Sequence, residues 1–281
     1  MLVSEWIDKY PRLNRRREQI VLYGSVVSNI MKLKSDSIFI AGYPKSGTNW
    51  LTYLVSAAFG IPALEPWKRL TPSWKSHIFH IHNIHLINLA RTRRRTIYLI
   101  RDGRDVVVSA YFHHVRECSS KTRHRLEKAL NRPLDREHAR DNLPRYIEYL
   151  MTHPFDFHGL NYAKHIDLWR RYKSEYILVR YEDLLANGPW ELERIYKRLF
   201  GQAASEACKA RFECVSHEHE FSRTANRRAG IEDTASFLRK GVHGDWMNYF
   251  TKEASLVYSE FAGHILVEFG YEKDCQWVTR C

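Results

Sequence analysis

Short apolar runs alternate with longer segments of helical spacing along most of this chain. Four runs are dense in Ile, Val, Leu, Phe and Tyr, as buried strands are, and they cover residues 36–41, 76–81, 95–100 and 176–180. Apolar residues recur at the spacing of one helix face over residues 46–59, 104–115, 141–151, 158–173, 189–200 and 252–268. This alternation predicts an α/β fold, in which helices cover both faces of a central parallel sheet.

Three segments do not follow this pattern. Residues 1–35 are predicted to form an N-terminal helical arm, with Arg15-Arg-Arg17 as a solvated run. Residues 116–140 are rich in Arg, Lys, His and Glu, and residues 222–236 are polar, so both are predicted to be irregular or mobile. Active-site lids are expected in such positions. The length of 281 residues suits one large domain covering residues 1–281.

Composition narrows the class of protein. The apolar fraction of 44% is ample for a core, and every apolar run is too short to span a membrane. The first residues lack the apolar region of a signal peptide, and the five cysteines contain no CxxC pair, so we expect reduced thiols in the cytoplasm. The net charge of +12 is compatible with polyanionic ligands, with nucleic acid or with a solvated basic surface. No zinc-finger, RRM or homeodomain signature supports the nucleic-acid alternative.

The most informative motif is Gly42-Tyr-Pro-Lys-Ser-Gly-Thr-Asn-Trp50, which lies between a predicted strand and a predicted helix. In this context backbone N–H groups and the helix N-terminus face an anion, which indicates a phosphate-binding loop. It is not a Walker A loop, because Thr48 stands where the nucleotide-binding Lys belongs and Lys45 precedes the second glycine. A Lys on that side of the loop would lie nearer the end of a bound phosphate chain. Pro44 stiffens the approach to it.

Three blocks in order resemble the cytosolic-type sulfotransferases, which use 3′-phosphoadenosine 5′-phosphosulfate (PAPS). The first motif is the loop at Tyr43–Trp50. The second motif is Ile97-Tyr-Leu-Ile-Arg-Asp-Gly-Arg-Asp-Val-Val-Val-Ser109, and the third motif is Phe237-Leu-Arg-Lys-Gly-Val-His-Gly-Asp-Trp246. The resemblance implies a P-loop-NTPase-like α/β fold. It also implies transfer of a sulfuryl group from PAPS to a hydroxyl or amine of a small-molecule acceptor, with no metal.

The resemblance assigns the cofactor site, and residue chemistry supports several positions in it. Lys45 suits charge stabilisation on the bridging oxygen of the donor, and Arg101 and Ser109 are spaced to reach one phosphate at a strand end. Trp50 fits adenine stacking or a core position, and Arg101 fits the 3′-phosphate or an ordinary salt bridge. The predicted cofactor-binding residues are Lys45, Ser46, Gly47, Thr48, Asn49, Trp50, Arg101, Ser109, Tyr181, Phe221, Phe237, Leu238, Arg239, Lys240 and Gly241.

The general base is predicted by resemblance to a Lys-Thr-His-Leu-Pro block of the family. Lys75-Ser-His-Ile-Phe79 stands in the corresponding place, so His77 is predicted to be the base, with Lys75 assisting. His80, His82 and His85 are the alternatives. The predicted catalytic set is therefore His77, Lys45, Lys75 and Ser109. The His-rich stretches at 112–115 and 217–219 lack the ligand set of a closed zinc site, and no metal is predicted.

Two other functions remain open at this point. A P-loop kinase acting on a metabolite would use the same loop, and a non-catalytic binder of nucleotides or polyanions would use the same fold. The sequence does not identify the acceptor. Residues 116–150 are predicted to be an insertion or lid on the acceptor side of the site. Of the charged segment through which animal relatives dimerise, only Thr251 remains among Met247, Thr251, Lys252 and Leu256, so a monomer, or a dimer through a different surface, is predicted.

Overall fold

The computed structural model describes residues 36–64, 76–82, 95–154, 159–171, 176–224, 226–233 and 239–280. The predicted N-terminal arm at 1–35 lies outside these residues, as do four residues named above, which are Lys75, His85, Phe237 and Leu238.

Within the described ranges, five strands form one sheet in the order β2-β3-β1-β4-β5, and every neighbouring pair is parallel. The strands are β1 (Ile38–Gly42), β2 (Ala63–Leu64), β3 (Ile78–Ile81), β4 (Thr96–Ile100) and β5 (Tyr176–Arg180). Because β1 has β3 on one side and β4 on the other, the chain changes direction across the sheet at the carboxyl end of β1. Ligands of open α/β sheets bind at such a switch point.

Side chains alternate between the two faces of the sheet, and each face has its own apolar core. On one face, Phe39, Phe79 and Tyr98 pack in a large cluster; on the other, Ile40, Ile78 and Leu99 pack in a second cluster. These strands are buried on both faces, which explains why they read as continuous apolar runs. The predicted α/β fold, with a parallel sheet between two helical layers, is confirmed.

The helices cover both faces and carry the chain from one strand to the next. They are α1 (Thr48–Phe59), α2 (Gly103–Glu117), α3 (Ser120–Leu130), α4 (Ala139–Thr152), α5 (Tyr162–Arg170), α6 (Tyr181–Ala186), α7 (Gly188–Phe200), α8 (Glu206–Glu218), α9 (Phe221–Thr224) and α10 (Lys252–Glu268). One 3₁₀ helix, at Asp245–Asn248, begins at the end of the third motif, and another, at Cys275–Arg280, follows the last helix.

The prediction that residues 116–140 are irregular is wrong for most of that segment, since α3 occupies Ser120–Leu130 and the ends of α2 and α4 extend into it. Its sequence is highly charged, but Leu126 and Leu130 place one narrow apolar stripe in the core. Ser119 caps the helix by accepting a hydrogen bond from the N–H of Thr122, and Asn131 ends it in a left-handed conformation. The six helices that the sequence predicted all form, with ends that shift by at most four residues.

Candidate active site

The phosphate-binding loop is a tight turn between β1 and α1. The N–H of Ser46 donates to the carbonyl of Tyr43 at 3.1 Å, and Lys45 and Gly47 adopt left-handed conformations with φ of 72° and 97°. Helix α1 then begins at Thr48, with Asn49 and Trp50 half-buried in its first turn. Ser46 is fully buried, and its Oγ finds no hydrogen-bond partner among the described residues. A buried hydroxyl in this position fits a phosphate oxygen as its partner.

The ring of Tyr181 packs against Gly47 of this loop. It follows β5 directly, and a Cβ added at Gly47 would lie 2.8 Å from its ring, so only glycine allows this approach. The ring of Trp50 meets the Tyr181 ring edge-on at 5.5 Å, and the indole N–H of Trp50 donates to the carbonyl of His219 at 3.0 Å. The structure therefore brings Trp50 and Tyr181 together beside the loop, as the cofactor prediction requires.

Arg101 links the loop to the third motif. Its guanidinium donates to the carbonyl of Lys45 at 3.4 Å and to the carbonyl of Val242 at 3.1 Å, and its Cζ lies 4.4 Å from the centre of the Tyr181 ring. The Nε of Arg101 is buried and has no hydrogen-bond partner in the described residues. Arg101 thus holds two anion-binding segments against each other.

Asp105 holds the backbone of the third motif through two hydrogen bonds. Its two carboxylate oxygens accept hydrogen bonds from the N–H groups of Gly244, at 2.7 Å, and Trp246, at 2.9 Å. Burial raises the pKa of Asp105, while the charge of Arg101 and the two backbone N–H groups act in the opposite direction. Asp105 lies within the Arg101–Ser109 block but was not predicted from the sequence to have a role.

The cations of the third motif are held by a carboxylate. Arg239 and Lys240 both bind Asp245, and the Lys240 Nζ to Asp245 Oδ1 distance is 2.8 Å. Burial raises the pKa of Asp245, but hydrogen bonds and charge from Lys240 and Arg239 outweigh it, and the pKa lies below its usual value. Asp245 therefore keeps its charge near neutral pH and orients both cations.

Gly241 and Phe221 complete this part of the site. A Cβ added at Gly241 would lie 2.0 Å from the Phe221 ring, and Gly241 has a φ of 65°. The guanidinium of Arg227 lies 4.9 Å from the centre of the same ring. The predicted pair Phe221 and Gly241 is thus in direct contact.

One cavity of about 160 Å³ joins the three motifs. Lys45 from the first motif, Ser109 from the second and Arg239 from the third all line it. The remaining lining residues are Phe112, His113, Val115, Arg116, Arg136 and Glu232. Four of the lining side chains are Lys or Arg and one is an acid, so the cavity suits a polyanion.

The surroundings of Lys45 in this cavity shift the pKa of its ammonium group. Burial, with smaller contributions from the charges of Arg116 and Arg101, lowers its pKa to about 8, while the charge of Glu117 acts in the opposite direction. At a pH of about 8 or above, a lysine in this state gains a proton when a phosphate or sulfate binds next to it.

His77 does not line the cavity, and its place in the sheet argues against its predicted role as general base. It precedes β3, and its carbonyl accepts the N–H of Ile38, the first residue of β1. The phosphate-binding loop follows Gly42 at the other end of β1, roughly 13 Å away at about 3.3 Å per residue. His77 therefore lies at the wrong edge of the sheet.

His82 follows the carboxyl end of β3, on the correct edge. Its Nδ1–H donates to the carbonyl of Gly42 at 2.8 Å, since a carbonyl only accepts. His165 donates from Nε2 to the carbonyl of His82 at 2.8 Å, and its Nδ1 pairs with the hydroxyl of Tyr98. This buried relay fixes the backbone of His82 beside the first motif. His80 lies within β3 opposite Ile40, and its ring meets the ring of His82 edge-on at 5.7 Å.

The sulfotransferase domain model matches residues 68–270, which is more than half of the chain. The chain belongs to the sulfotransferase family. Among its relatives, sulfotransferase 2B1 of Mus musculus is 27% identical over 262 residues, which cover 81% of this chain and 70% of that protein. Sulfotransferase 2A2 of Rattus norvegicus is 27% identical over 247 residues, covering 78% of this chain and 80% of that protein.

Solved structures of sulfotransferases have the same fold. The crystal structure of mouse sulfotransferase SULT7A1 complexed with PAP matches with a TM-score of 0.61 at 20% identity, and covers 88% of this chain and 94% of that one. Retinol dehydratase in complex with androsterone and PAP matches with a TM-score of 0.55 at 18% identity, covering 83% and 81%. The protein is thus a sulfotransferase enzyme, and the resemblance drawn from three short motifs is confirmed.

Several residues of this sulfotransferase site were not predicted from the sequence. Arg116, Arg136 and Glu232 line the cavity but belong to segments described only as basic or polar.

Arg104 is 2% exposed and is a structural residue, held by Asp102 and stacked 3.6 Å from the Trp246 ring centre. Among the described residues, no group of three or more His, Cys, Asp or Glu could hold a metal ion, and no described helix is long and apolar enough to cross a membrane.

Proposed function

We propose that this sulfotransferase transfers the sulfuryl group of PAPS to a hydroxyl or amine of a small-molecule acceptor. One observation carries the proposal. Lys45, Ser109 and Arg239, from three motifs far apart in sequence, line the same cationic cavity. A donor with a phosphosulfate at one end and a phosphate at the other needs anion-binding groups at separated points, and these motifs supply them.

The proposed nucleotide site follows from the positions of the side chains. The backbone of the loop at Ser46–Asn49, with the buried Ser46 hydroxyl, would hold the 5′-phosphosulfate. Arg239 and Ser109 would hold the 3′-phosphate, supported by Arg101, Lys240 and Gly241. Trp50, Tyr181 and Phe221 offer aromatic faces for adenine. Phe237 and Leu238 stay predictions for the same site.

PAPS, when bound, supplies an activated sulfuryl group and a phosphate leaving group. Lys45 is placed in the phosphate-binding loop, where its ammonium would neutralise the charge that develops on the leaving oxygen. Ser109 would orient phosphate oxygens from the second motif. The acceptor must lose a proton during the in-line displacement, and a histidine at the edge of the loop is suited to take it.

We propose His82, in place of His77, as that general base. Its Nδ1 hydrogen bond to Gly42 sets the tautomer in which Nε2 is the basic nitrogen. The bond also ties the ring to the strand that leads into the loop of Lys45. His165 acts as a positioning residue by holding the backbone of His82. Lys75 stays a predicted auxiliary to the base.

The acceptor class rests on the shape of the fold and on its neighbours. The retinol dehydratase complexes contain androsterone or retinol, both small hydroxylated molecules. We propose a small-molecule acceptor for this chain too, with no nucleic-acid partner and no metal requirement, and a monomer in the cytoplasm. Of the two other functions considered, the metabolite kinase loses support because the chain belongs to the sulfotransferase family.

The experiment is an acceptor screen with PAPS in the presence of EDTA. Mass spectrometry would follow the release of adenosine 3′,5′-bisphosphate (PAP) and the gain of a sulfuryl group by phenols, alcohols, amines and acidic metabolites. Lys45→Ala should lose turnover with every acceptor that the native enzyme sulfates. If PAP binds in calorimetry and no acceptor turns over, a non-catalytic binder is indicated. Turnover of ATP with Mg²⁺ would indicate a kinase instead.

A further inference from the structure

One carboxylate oxygen in the cavity is shared by two arginines from distant segments. Oε1 of Glu232 lies 2.8 Å from Nη2 of Arg136 and accepts a hydrogen bond from Nη1 of Arg239 at 2.9 Å. Arg136 belongs to the α3–α4 connection, whereas Arg239 belongs to the third motif. An anion therefore already lies between two guanidinium groups at the place where the motifs converge.

Both arginines also contact the same ring. The guanidinium carbon of Arg136 lies 5.5 Å from the centre of Phe112, and that of Arg239 lies 4.5 Å from it. Phe112 is on α2, one turn beyond Ser109, and both residues line the cavity. The Arg136–Glu232–Arg239 bridge is thus part of the cavity wall next to the predicted 3′-phosphate ligands.

The three side chains differ in how firmly they are held. Arg239 is 16% exposed and keeps its second partner, Asp245, whatever happens to Glu232. Arg136 is 36% exposed and Glu232 is 23% exposed, so both have room to turn. Displacement of Glu232 would leave two arginines facing one position, with Lys45 and Arg116 lining the same cavity.

We propose that Glu232 occupies the place of the nucleotide's 3′-phosphate, and that Arg136 becomes a ligand of this phosphate when the nucleotide displaces Glu232. The proposal rests on the proposed function, because it takes the nucleotide to be PAPS or PAP. A phosphate monoester carries nearly two negative charges and three acceptor oxygens, whereas the carboxylate carries one charge. The phosphate therefore makes stronger bonds to two guanidinium groups than Glu232 does. Arg136 places the basic α3–α4 segment on the cofactor side of the site, not on the acceptor side predicted from sequence.

The first test measures nucleotide affinity by calorimetry for Arg136→Ala and for a matched control, Arg132→Ala. Arg132 lies in the same connection and pairs with Asp141, but both side chains are at least half exposed and neither lines the cavity. PAP is compared with adenosine 5′-monophosphate (AMP), which differs from it only by the 3′-phosphate. Arg136→Ala should weaken PAP about tenfold and leave AMP unchanged, because one charge-assisted contact is lost. Arg132→Ala should change neither. Equal weakening of PAP and AMP, or unchanged PAP, would overturn the assignment.

The second test removes the internal anion. Glu232→Gln keeps the shape of the side chain and removes its charge, so PAP should bind about three- to tenfold more tightly while AMP stays unchanged. PAP affinity that is unchanged or weaker would overturn the displacement of Glu232. Failure of the proposed nucleotide site looks different, since the native protein would then bind neither PAP nor PAPS. Failure of sulfuryl transfer alone would leave PAP binding, and both of these tests, intact.

Discussion

The carboxylate of Asp105 accepts a hydrogen bond from the backbone N–H of Gly244, at 2.7 Å, across 139 positions of sequence. The second oxygen accepts the N–H of Trp246. These two bonds attach the loop of Arg239 and Lys240 to the first turn of α2. Later turns of the same helix carry Ser109 and Phe112, which line the cavity. The geometry of the third motif therefore depends on a residue of the second.

Asp105→Asn should weaken both the fold and nucleotide binding. The amide keeps one acceptor oxygen and turns an NH₂ group toward a backbone donor, which leaves a buried N–H without a partner at a cost of about 1–3 kcal/mol. Thermal unfolding would measure the loss of stability, and calorimetry with PAP should show weaker binding. Asp141→Asn, in an exposed pair with Arg132, serves as the control and should change neither. Native-like PAP affinity in the Asp105 variant would contradict this coupling.

His82→Gln and His77→Gln form a matched pair that tests the general base. His82→Gln should lower the rate of sulfuryl transfer by about a hundredfold to ten-thousandfold, because a base in hydrogen-bond reach contributes that much. The affinity for PAP should change little. His77→Gln should retain the rate of the native enzyme, since its carbonyl pairs with β1 at the far edge of the sheet. A loss confined to His77→Gln would restore the original assignment, and a native rate in both variants would exclude both residues.

The success and the failure of the sequence-based predictions have the same physical origin. The strand-turn-helix of the first motif is a local unit, so its residues alone indicated an anion site near Lys45. In a parallel sheet the carboxyl end of β3 lies beside the loop, whereas the resemblance of Lys75–Phe79 to the family's block placed the predicted base at the opposite end of that strand. The pairing of Ile38 with Ile78 sets this arrangement, and this contact spans 40 positions.

The composition of the α3 segment was similarly misleading. Eleven residues from Ser120 to Leu130 hold five Lys, Arg or His, and average polarity hid the two leucines that bury the helix. The Arg136–Glu232–Arg239 bridge was inaccessible for another reason, because Arg136 and Glu232 are 96 positions apart and neither belongs to a recognisable motif. Charge in a polar segment becomes informative only when the fold shows what it faces.

Nucleotide affinity should fall as the pH rises through about 8. Burial lowers the pKa of Lys45 to about 8, so the ligand-free protein loses this charge above that pH, while a bound phosphate favours the protonated form. Binding must then be accompanied by proton uptake, and the Kd for PAP should rise toward tenfold per pH unit above 8. Below pH 8 Lys45 is already charged, and the dependence should flatten.

Calorimetry in two buffers of different ionisation enthalpy would count the protons taken up. Lys45→Met removes the titrating group and should abolish the pH dependence between 7.5 and 9.5, at the cost of lower affinity throughout. Arg116→Gln removes a charge that lowers the Lys45 pKa, so the onset should move to higher pH. A Kd that is independent of pH in the native protein would contradict the prediction.

Gly47→Ala should disrupt the phosphate-binding loop for two separable reasons. A φ of 97° costs an alanine about 1–2 kcal/mol, and its Cβ would lie 2.8 Å from the Tyr181 ring, which must then move. That ring packs under Arg101 and beside Trp50, so the displacement would reach the predicted adenine and 3′-phosphate sites together. We expect PAP affinity to fall at least tenfold.

Gly201→Ala provides the control, because Gly201 has a φ of 73° and nothing lies within 4 Å of its added Cβ. It should cost similar stability and leave PAP binding unchanged. If both alanine variants bind PAP equally well, contact between Gly47 and Tyr181 does not shape the nucleotide site.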